Sequence, residues 1–121
     1  MKLWPRIRLP KTFTPTHQTA GLPGFPAIDV FAPAGRLVMP PEGGVLVYKH
    51  YIPWNATKRT GGWTVYLHGN SGDTYFLTHF ANVRRDGRIY RFQSIGRVGE
   101  VPGHAWAPHI HEGKHKGRFD P

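Results

Sequence analysis

The histidine pair in His109-Ile110-His111 is the first feature of the sequence that could carry chemistry. Side chains alternate between the two faces of a strand, so an extended His-x-His segment puts both imidazoles on one face, about 6.5 to 7 Å apart along the strand. At that spacing one imidazole can bind a metal ion while the other lies beside a metal-bound water. The alternative is a pair of surface histidines, because the chain holds 8 histidines in all.

The elements that must position this pair are short strands. A chain of 121 residues has the usual size of one domain, and its 15 Gly, 12 Pro and 13% aromatic residues favour strands joined by tight turns. The sequence therefore predicts an all-β fold, a small single domain of antiparallel sheets. Residues 63–68 and 74–79 flank the polar segment 69–73 and predict a hairpin. A further apolar run over 89–92 predicts another strand.

The start of the chain has a different composition. Residues 1–24 combine basic residues with Pro, Thr and Gly and lack an apolar period, which predicts an extended N-terminal arm and a domain proper over 25–121. The positive start at 1–6 is not followed by the apolar run of a signal peptide, and no stretch is long and apolar enough for a transmembrane helix. Action outside a cell would then need another means of delivery.

Charge and cysteine content limit the possible partners and ligands. The chain has no cysteine, so a metal must be bound by nitrogen and oxygen. Its 16 Lys and Arg against 7 Asp and Glu give a net charge of +9, which favours polyanions. Nucleic acid, an anionic membrane and anionic polymers of a cell wall all fit this charge. A nucleic-acid binder is the least supported class, because no helix-turn-helix, zinc finger or aromatic RNA-binding motif is present.

The order of several motifs along the chain points to a family. The motifs lie at 24–35, 38–44, 74–80, 95–99 and 108–111. In this order they resemble the lysostaphin-like zinc endopeptidases, over about residues 24 to 113. The resemblance implies a small antiparallel β fold, Zn²⁺ as the cofactor and bacterial peptidoglycan as the partner, whose cross-bridge or stem peptides are cleaved.

The resemblance also implies roles for individual residues. Asp29 corresponds to the carboxylate ligand of the zinc ion, and His111 to the histidine ligand in the second position of His-x-His. His79 and His109 correspond to the two histidines that flank the metal-bound water. Neutral imidazoles in those places can accept or relay its proton. Glu112, which directly follows the pair, is taken with this group of residues.

The chain departs from the family pattern at Phe25, where the family has its first zinc histidine, four residues before the aspartate. Phenylalanine cannot bind zinc, so the pattern leaves two ligands where a catalytic zinc site normally has three. His17 is the best replacement, because the turn-rich segment 20–26 can loop out and bring it back toward Asp29. His104 is the second candidate.

Two main functional hypotheses follow. In the first, the chain is a zinc-dependent endopeptidase that cleaves peptidoglycan. By analogy it would be a phage-encoded lysin or tail component. It would act outside the cell or at the cell wall, either as part of a virion or after release on lysis. In the second, it is an inactive relative that binds the wall, including its anionic polymers, or packs against other virion proteins. Aromatic residues are assigned mainly to the core, with the wall of a substrate groove as the other location: Trp54, Trp63, Tyr66, Tyr75 and Trp106.

Overall fold

The fold consists of short strands, and a computed structural model describes it over residues 5–121. The strands are β1 (Ile7–Arg8), β2 (His17–Gln18), β3 (Pro26–Phe31), β4 (Leu37–Met39), β5 (Gly44–Asn55), β6 (Thr60–Gly69), β7 (Thr74–Val83), β8 (Gly87–Ile89), β9 (Gly96–Val98) and β10 (His109–His115). The described chain has one helical element, a 3-10 turn at Pro102–His104. The predicted all-β, single-domain fold is confirmed.

The ten described strands form one mixed sheet that curls into a half-barrel. Its main path runs β1-β4-β9-β7-β10-β3-β2, and β5 joins it through β6 and also pairs with β8. Antiparallel pairing was predicted throughout, but β1 and β4 run parallel. Parallel neighbours need a long connection between them, and the segment between β1 and β4, which contains β2 and β3, provides it.

The predicted hairpin is confirmed as β6 and β7, which pair antiparallel from Trp63 opposite Phe80 to His68 opposite Thr74. The strand predicted over 89–92 is wrong beyond its first residue, because β8 ends at Ile89. The backbone turns there: the Gln93 N–H donates to the Tyr90 carbonyl at 2.9 Å, and the Gln93 side chain accepts from the Tyr90 N–H.

Strand β7 changes its partner at one residue. Along the edge opposite β6, it pairs with β10 as far as Thr78 and with β9 from Phe80 onward. His79 lies between the two ladders with a φ of 80°, in the left-handed region that non-glycine residues rarely occupy. Bulges of this kind redirect a side chain and are frequent beside active sites.

The main hydrophobic core covers one face of the sheet, and β10 contributes alternate residues to it. Ile110 and Glu112 are fully buried, while His109 and His111 point to the other face. Neither carboxylate oxygen of Glu112 has a hydrogen-bond partner among the described residues, and burial raises its pKa to about 8. Glu112 therefore does not belong with the histidines, as the sequence suggested, because a strand sends adjacent side chains to opposite faces.

The described part of the predicted arm, residues 5–24, supplies strands at both ends of the main path. β1 pairs with β4 at one end, and β2 pairs antiparallel with β3 at the other. Leu9, just after β1, is fully buried in the main core. The boundary between arm and domain at residue 24 stays a prediction. The prediction that the chain has no signal peptide depends partly on residues 1–4, which lie outside the described range.

Among residues 5–121, no helix has the length and apolar character needed to cross a membrane.

A buried carboxylate fastens the loop of the β6–β7 hairpin to the turn before β5. Glu42 accepts hydrogen bonds from the Ser71 N–H at 2.7 Å, the Ser71 hydroxyl at 2.6 Å and the Tyr75 hydroxyl at 2.7 Å. Burial opposes the ionisation of Glu42, but the hydrogen bonds from Ser71 and Tyr75 outweigh it, and the pKa of Glu42 is lowered. The charged form therefore stabilises the fold.

Replacing Glu42 by glutamine should lower the free energy of unfolding at pH 7 by about 1 to 3 kcal/mol, because charge-assisted hydrogen bonds are lost. Because the pKa of Glu42 is lower in the folded state, ionisation of Glu42 stabilises the fold in full above the unfolded-state pKa, about 4.3 for glutamate. This stabilisation is lost as the pH falls through the folded-state pKa. The difference between wild type and Glu42→Gln should therefore shrink below that pH. Urea unfolding at several pH values measures this, with the exposed Glu100→Gln as control; a pH-independent difference would contradict it.

Candidate metal centre

Three neighbouring strands bring together the residues that the sequence analysis assigned to a metal. Asp29 on β3 lies directly opposite His111 on β10, and His17 on β2 lies opposite Ala27, two residues before Asp29 on the same strand. Because residues two apart share a face of a strand, all three side chains converge on one side of the sheet. His17 thus reaches Asp29 through the turn-rich segment 20–26, the route expected from the sequence.

The spacing of the three potential ligand atoms suits a small tetrahedral ion. His17 Nε2 lies 3.3 Å from His111 Nδ1 and 3.4 Å from Asp29 Oδ1, and His111 Nδ1 lies 3.5 Å from the same oxygen. Ligands bound at about 2.0 to 2.1 Å from a tetrahedral ion are about 3.3 to 3.4 Å apart. These three residues could therefore hold a metal ion.

A neighbouring hydroxyl determines which ring nitrogen of His111 carries the proton. The Thr19 hydroxyl donates its hydrogen to the Phe25 carbonyl at 2.8 Å, so it can only accept from His111 Nε2, also at 2.8 Å. His111 Nε2 then carries the proton, and Nδ1 presents a lone pair toward Asp29 and His17. A metal-binding histidine is commonly oriented in this way by the group that its other nitrogen contacts.

Two further histidines present lone pairs in the same way. The Nδ1 proton of His79 is donated to the Gly61 carbonyl at 2.8 Å, and that of His109 to the Ala107 carbonyl at 2.9 Å. Since a carbonyl can only accept, Nε2 is the unprotonated nitrogen in both neutral rings. His109 Nε2 lies 3.6 Å from Asp29 Oδ1, at the side of the three-residue cluster.

The cluster is short of positive charge when its histidines are neutral. Asp29 Oδ1 is buried and has no hydrogen-bond partner within the described residues, although three imidazole nitrogens lie within 3.6 Å of it. Burial alone would raise the pKa of Asp29, but a hydrogen bond from His111 and the positive charges of His109 and His17, when these rings are protonated, lower it on balance. When the rings are neutral, the carboxylate faces the lone pairs of His111 Nδ1 and His109 Nε2, and a cation bound between them would offset this repulsion.

His79 is held tightly beside this cluster. Its ring stacks on Trp54 at a centroid distance of 5.9 Å, lies 5.6 Å from Trp106 and meets His109 edge-on at 4.9 Å. Burial lowers the pKa of His79 to about 4, which keeps the imidazole neutral near pH 7. The left-handed backbone costs about 1 to 3 kcal/mol, so the surrounding packing must hold this residue in place.

The cluster lines a groove of about 740 Å³. The side chains that line it include His17, Thr19, Asp29, Phe31, Ile52, Lys58, Arg59, Phe76, His79, Trp106, His109 and His111. Of the aromatic residues that the sequence analysis considered, Trp106 lines the groove, whereas Tyr66 and Tyr75 are buried. The cluster therefore shares an open groove with the Trp106 side chain.

Phe25 and His104 lie outside the cluster. Phe25 is fully buried among aromatic rings, with Tyr66, Phe76 and Phe119 within 6.5 Å of its centroid. His104, the second candidate for the missing ligand, has an 80% exposed side chain and pairs with Glu100. Of the two candidates, His17 alone reaches Asp29.

The motifs in the sequence do not indicate Thr19 or the carbonyls of Gly61 and Ala107, which orient the histidines. The carbonyls leave no signal in a sequence, because every residue has one. Thr19 had a faint signal: it lies two residues after His17, as a hydroxyl on the same face of an extended segment would.

Comparison with models of known protein families gives no match to this chain. No curated protein matches it either. The resemblance to lysostaphin-like endopeptidases therefore rests on the motifs and stays a prediction.

Removing either histidine ligand should weaken metal binding to a similar extent. We expect His17→Ala and His111→Ala each to lower the affinity for Zn²⁺ at least about 100-fold, because two ligands replace three. Titration calorimetry on the metal-free protein measures this, and His104→Ala, away from the cluster, should bind as the wild type does. Unchanged affinity in His17→Ala would remove His17 from the site.

The Thr19 hydroxyl should matter through the orientation of His111. Thr19→Val keeps the shape but leaves the Nε2 proton of His111 without an acceptor, so metal affinity should fall about 10- to 100-fold. Thr19→Ser retains the hydroxyl and should restore most of the affinity in the same titration. Equal affinities for the valine and serine variants would show that the hydroxyl does not orient the ligand.

Proposed function

We propose that this protein is a zinc-dependent endopeptidase that cleaves peptide bonds in bacterial peptidoglycan. The observation that carries the proposal is the triangle of His17 Nε2, Asp29 Oδ1 and His111 Nδ1, which has edges of 3.3 to 3.5 Å and lines a groove. Two more histidines with free lone pairs border the same triangle. The substrate class, peptide bonds of peptidoglycan, is taken from the resemblance of the motif order to the lysostaphin-like endopeptidases.

The donor set favours zinc over the other common divalent ions. Two imidazoles and one carboxylate match the three protein ligands typical of catalytic zinc, whereas Mg²⁺ and Ca²⁺ prefer oxygen ligands. Three ligands leave a fourth position open, and a structural zinc site would normally fill it with protein. When bound, zinc supplies Lewis-acid polarisation of a carbonyl and a lowered pKa for water.

The residues of the chain itself supply the proton transfers. His109 and His79 each have one nitrogen fixed by a backbone carbonyl, which leaves Nε2 to accept a proton from water and to return it to the leaving amine. A neutral ring is needed for the first of these steps, and burial keeps His79 neutral, although the lowered pKa also makes it a weaker base. Either ring can also donate a hydrogen bond to the oxyanion once it is protonated.

The groove supports an extended peptide as the substrate. Its aromatic and apolar lining, including Trp106 and the 65% exposed Phe31, suits contact with a backbone, and small residues such as Gly or Ala let that backbone approach the cluster. In this proposal the protein acts at the cell wall, as part of a virion or after release on lysis. Its net charge of +9 would also attract anionic wall polymers.

Variants of the two flanking histidines should lose activity but keep metal binding. His79→Ala and His109→Ala should each lower kcat about 100-fold or more, because a positioned proton acceptor is lost, while one zinc ion per chain is retained. New amino groups released from purified peptidoglycan by the zinc-loaded protein measure cleavage, and metal analysis gives the stoichiometry. His50→Ala, which removes a histidine outside the groove, is the control.

The outcome of this assay also decides between the two hypotheses of the sequence analysis. Release of amino groups that stops on chelation and returns with zinc supports the endopeptidase. Pelleting of the zinc-loaded protein with cell walls, without any release, would contradict it and favour the wall-binding or virion structural module.

A further inference from the structure

Two positive side chains stand at the rim of the groove and have no assigned role. Lys58 and Arg59 lie in the turn between β5 and β6, both are exposed, and both line the same cavity as the metal cluster. Within residues 5–121 the side chain of neither residue forms an ion pair or a hydrogen bond. Their charge is therefore free to act on whatever enters the groove.

The charges that line the groove are unbalanced. Asp29 is its one acidic residue among those described, and it faces the histidine cluster. A divalent ion at the cluster would leave the groove strongly positive, because Lys58 and Arg59 are not neutralised. Clefts lined by charge of one sign concentrate ligands of the opposite sign.

The turn is fixed close to the residues of the proposed reaction. The Lys58 N–H donates to the Asn55 side chain at 3.0 Å, and a side chain at Gly61 would come within 2.4 Å of the Trp54 Cα, so the start of β6 packs tightly on the end of β5. The Gly61 carbonyl orients His79. Arg59 therefore stands two residues from a group that positions a histidine of the site.

We infer that Lys58 and Arg59 select peptides that carry a free carboxylate near the scissile bond. The inference rests on the proposed peptidase function, and it names the substrate class of that site. The planar guanidinium of Arg59 can bind a carboxylate through two hydrogen bonds, and the Lys58 ammonium adds a second positive charge beside it. An amidated side chain in the same place would gain neither interaction in full.

Binding of matched peptides tests the inference without relying on cleavage. The probes are capped pentaglycine peptides with glutamate at each position in turn, and the same set with glutamine. Tryptophan fluorescence of the metal-free 121-residue chain at low salt reports binding, since Trp106 lines the groove. We expect at least one glutamate peptide to bind roughly 3- to 10-fold more tightly than its glutamine partner, in line with exposed ion pairs.

The variants identify the source of this preference. Lys58→Ala/Arg59→Ala should bind both sets equally, whereas the exchange Lys58→Arg/Arg59→Lys keeps both charges and should retain most of the preference. The control is Arg84→Ala/Arg85→Ala, which removes two consecutive basic residues that do not line the groove and should behave as the wild type does. Equal or undetectable binding of both peptide sets by the wild type would overturn the inference, as would a preference that survives in Lys58→Ala/Arg59→Ala.

The zinc-loaded protein, assayed for cleavage of the same peptides, separates this inference from the proposed function. Preferential binding of glutamate peptides without cleavage of any peptide would leave the charge selection standing and refute the endopeptidase. Cleavage of both sets with equal kcat/KM and equal affinity would support the endopeptidase and refute the selection.

Discussion

The pairing of β10 with β3 is the interaction on which the site depends. It sets His111 directly opposite Asp29, and the same pairing fixes the face on which His109 projects. A shift of one residue in this register would turn both histidines into the hydrophobic core and bring Glu112 out to the groove. The burial of Ile110 and the approach of Phe25 to Gly113, where a side chain would lie 3.2 Å from the Phe25 Cβ, oppose such a shift.

Phe25 stands where the resemblance would place a histidine, and in the proposed site His17 takes that place. At Phe25 the chain has an aromatic residue that anchors β3 through contacts with Tyr66, Phe76 and Phe119. The nitrogen that could bind a metal lies on β2, which reaches the same face by pairing with β3. The Phe25 carbonyl takes part as well, because it accepts the hydrogen bond that the Thr19 hydroxyl donates. That hydroxyl can then only accept from His111, which determines which nitrogen of His111 is unprotonated.

The sequence was informative where the signal is local. Strand alternation predicted that His109 and His111 share a face, and turn-forming residues between His17 and Asp29 predicted that these two could meet. It was uninformative where distant segments decide the outcome. The parallel pairing of β1 depends on a connection of nearly 30 residues, and the orientation of His79 depends on a carbonyl 18 positions away. The burial of Glu112 follows from alternation, but which face of β10 meets the core depends on the whole sheet.

The position of β10 within the sheet has a consequence for biosynthesis. β3 has β2 and β10 as its partners among the described strands, so without β10 the pair that carries Asp29 and His17 is not joined to β7. His17 and His111 are 94 positions apart, and contacts of such separation form late because a long loop must close first. A nascent chain therefore has the hairpin of β6 and β7 long before it has the cluster. The centre is assembled only when β10 has been synthesised and has inserted between β3 and β7.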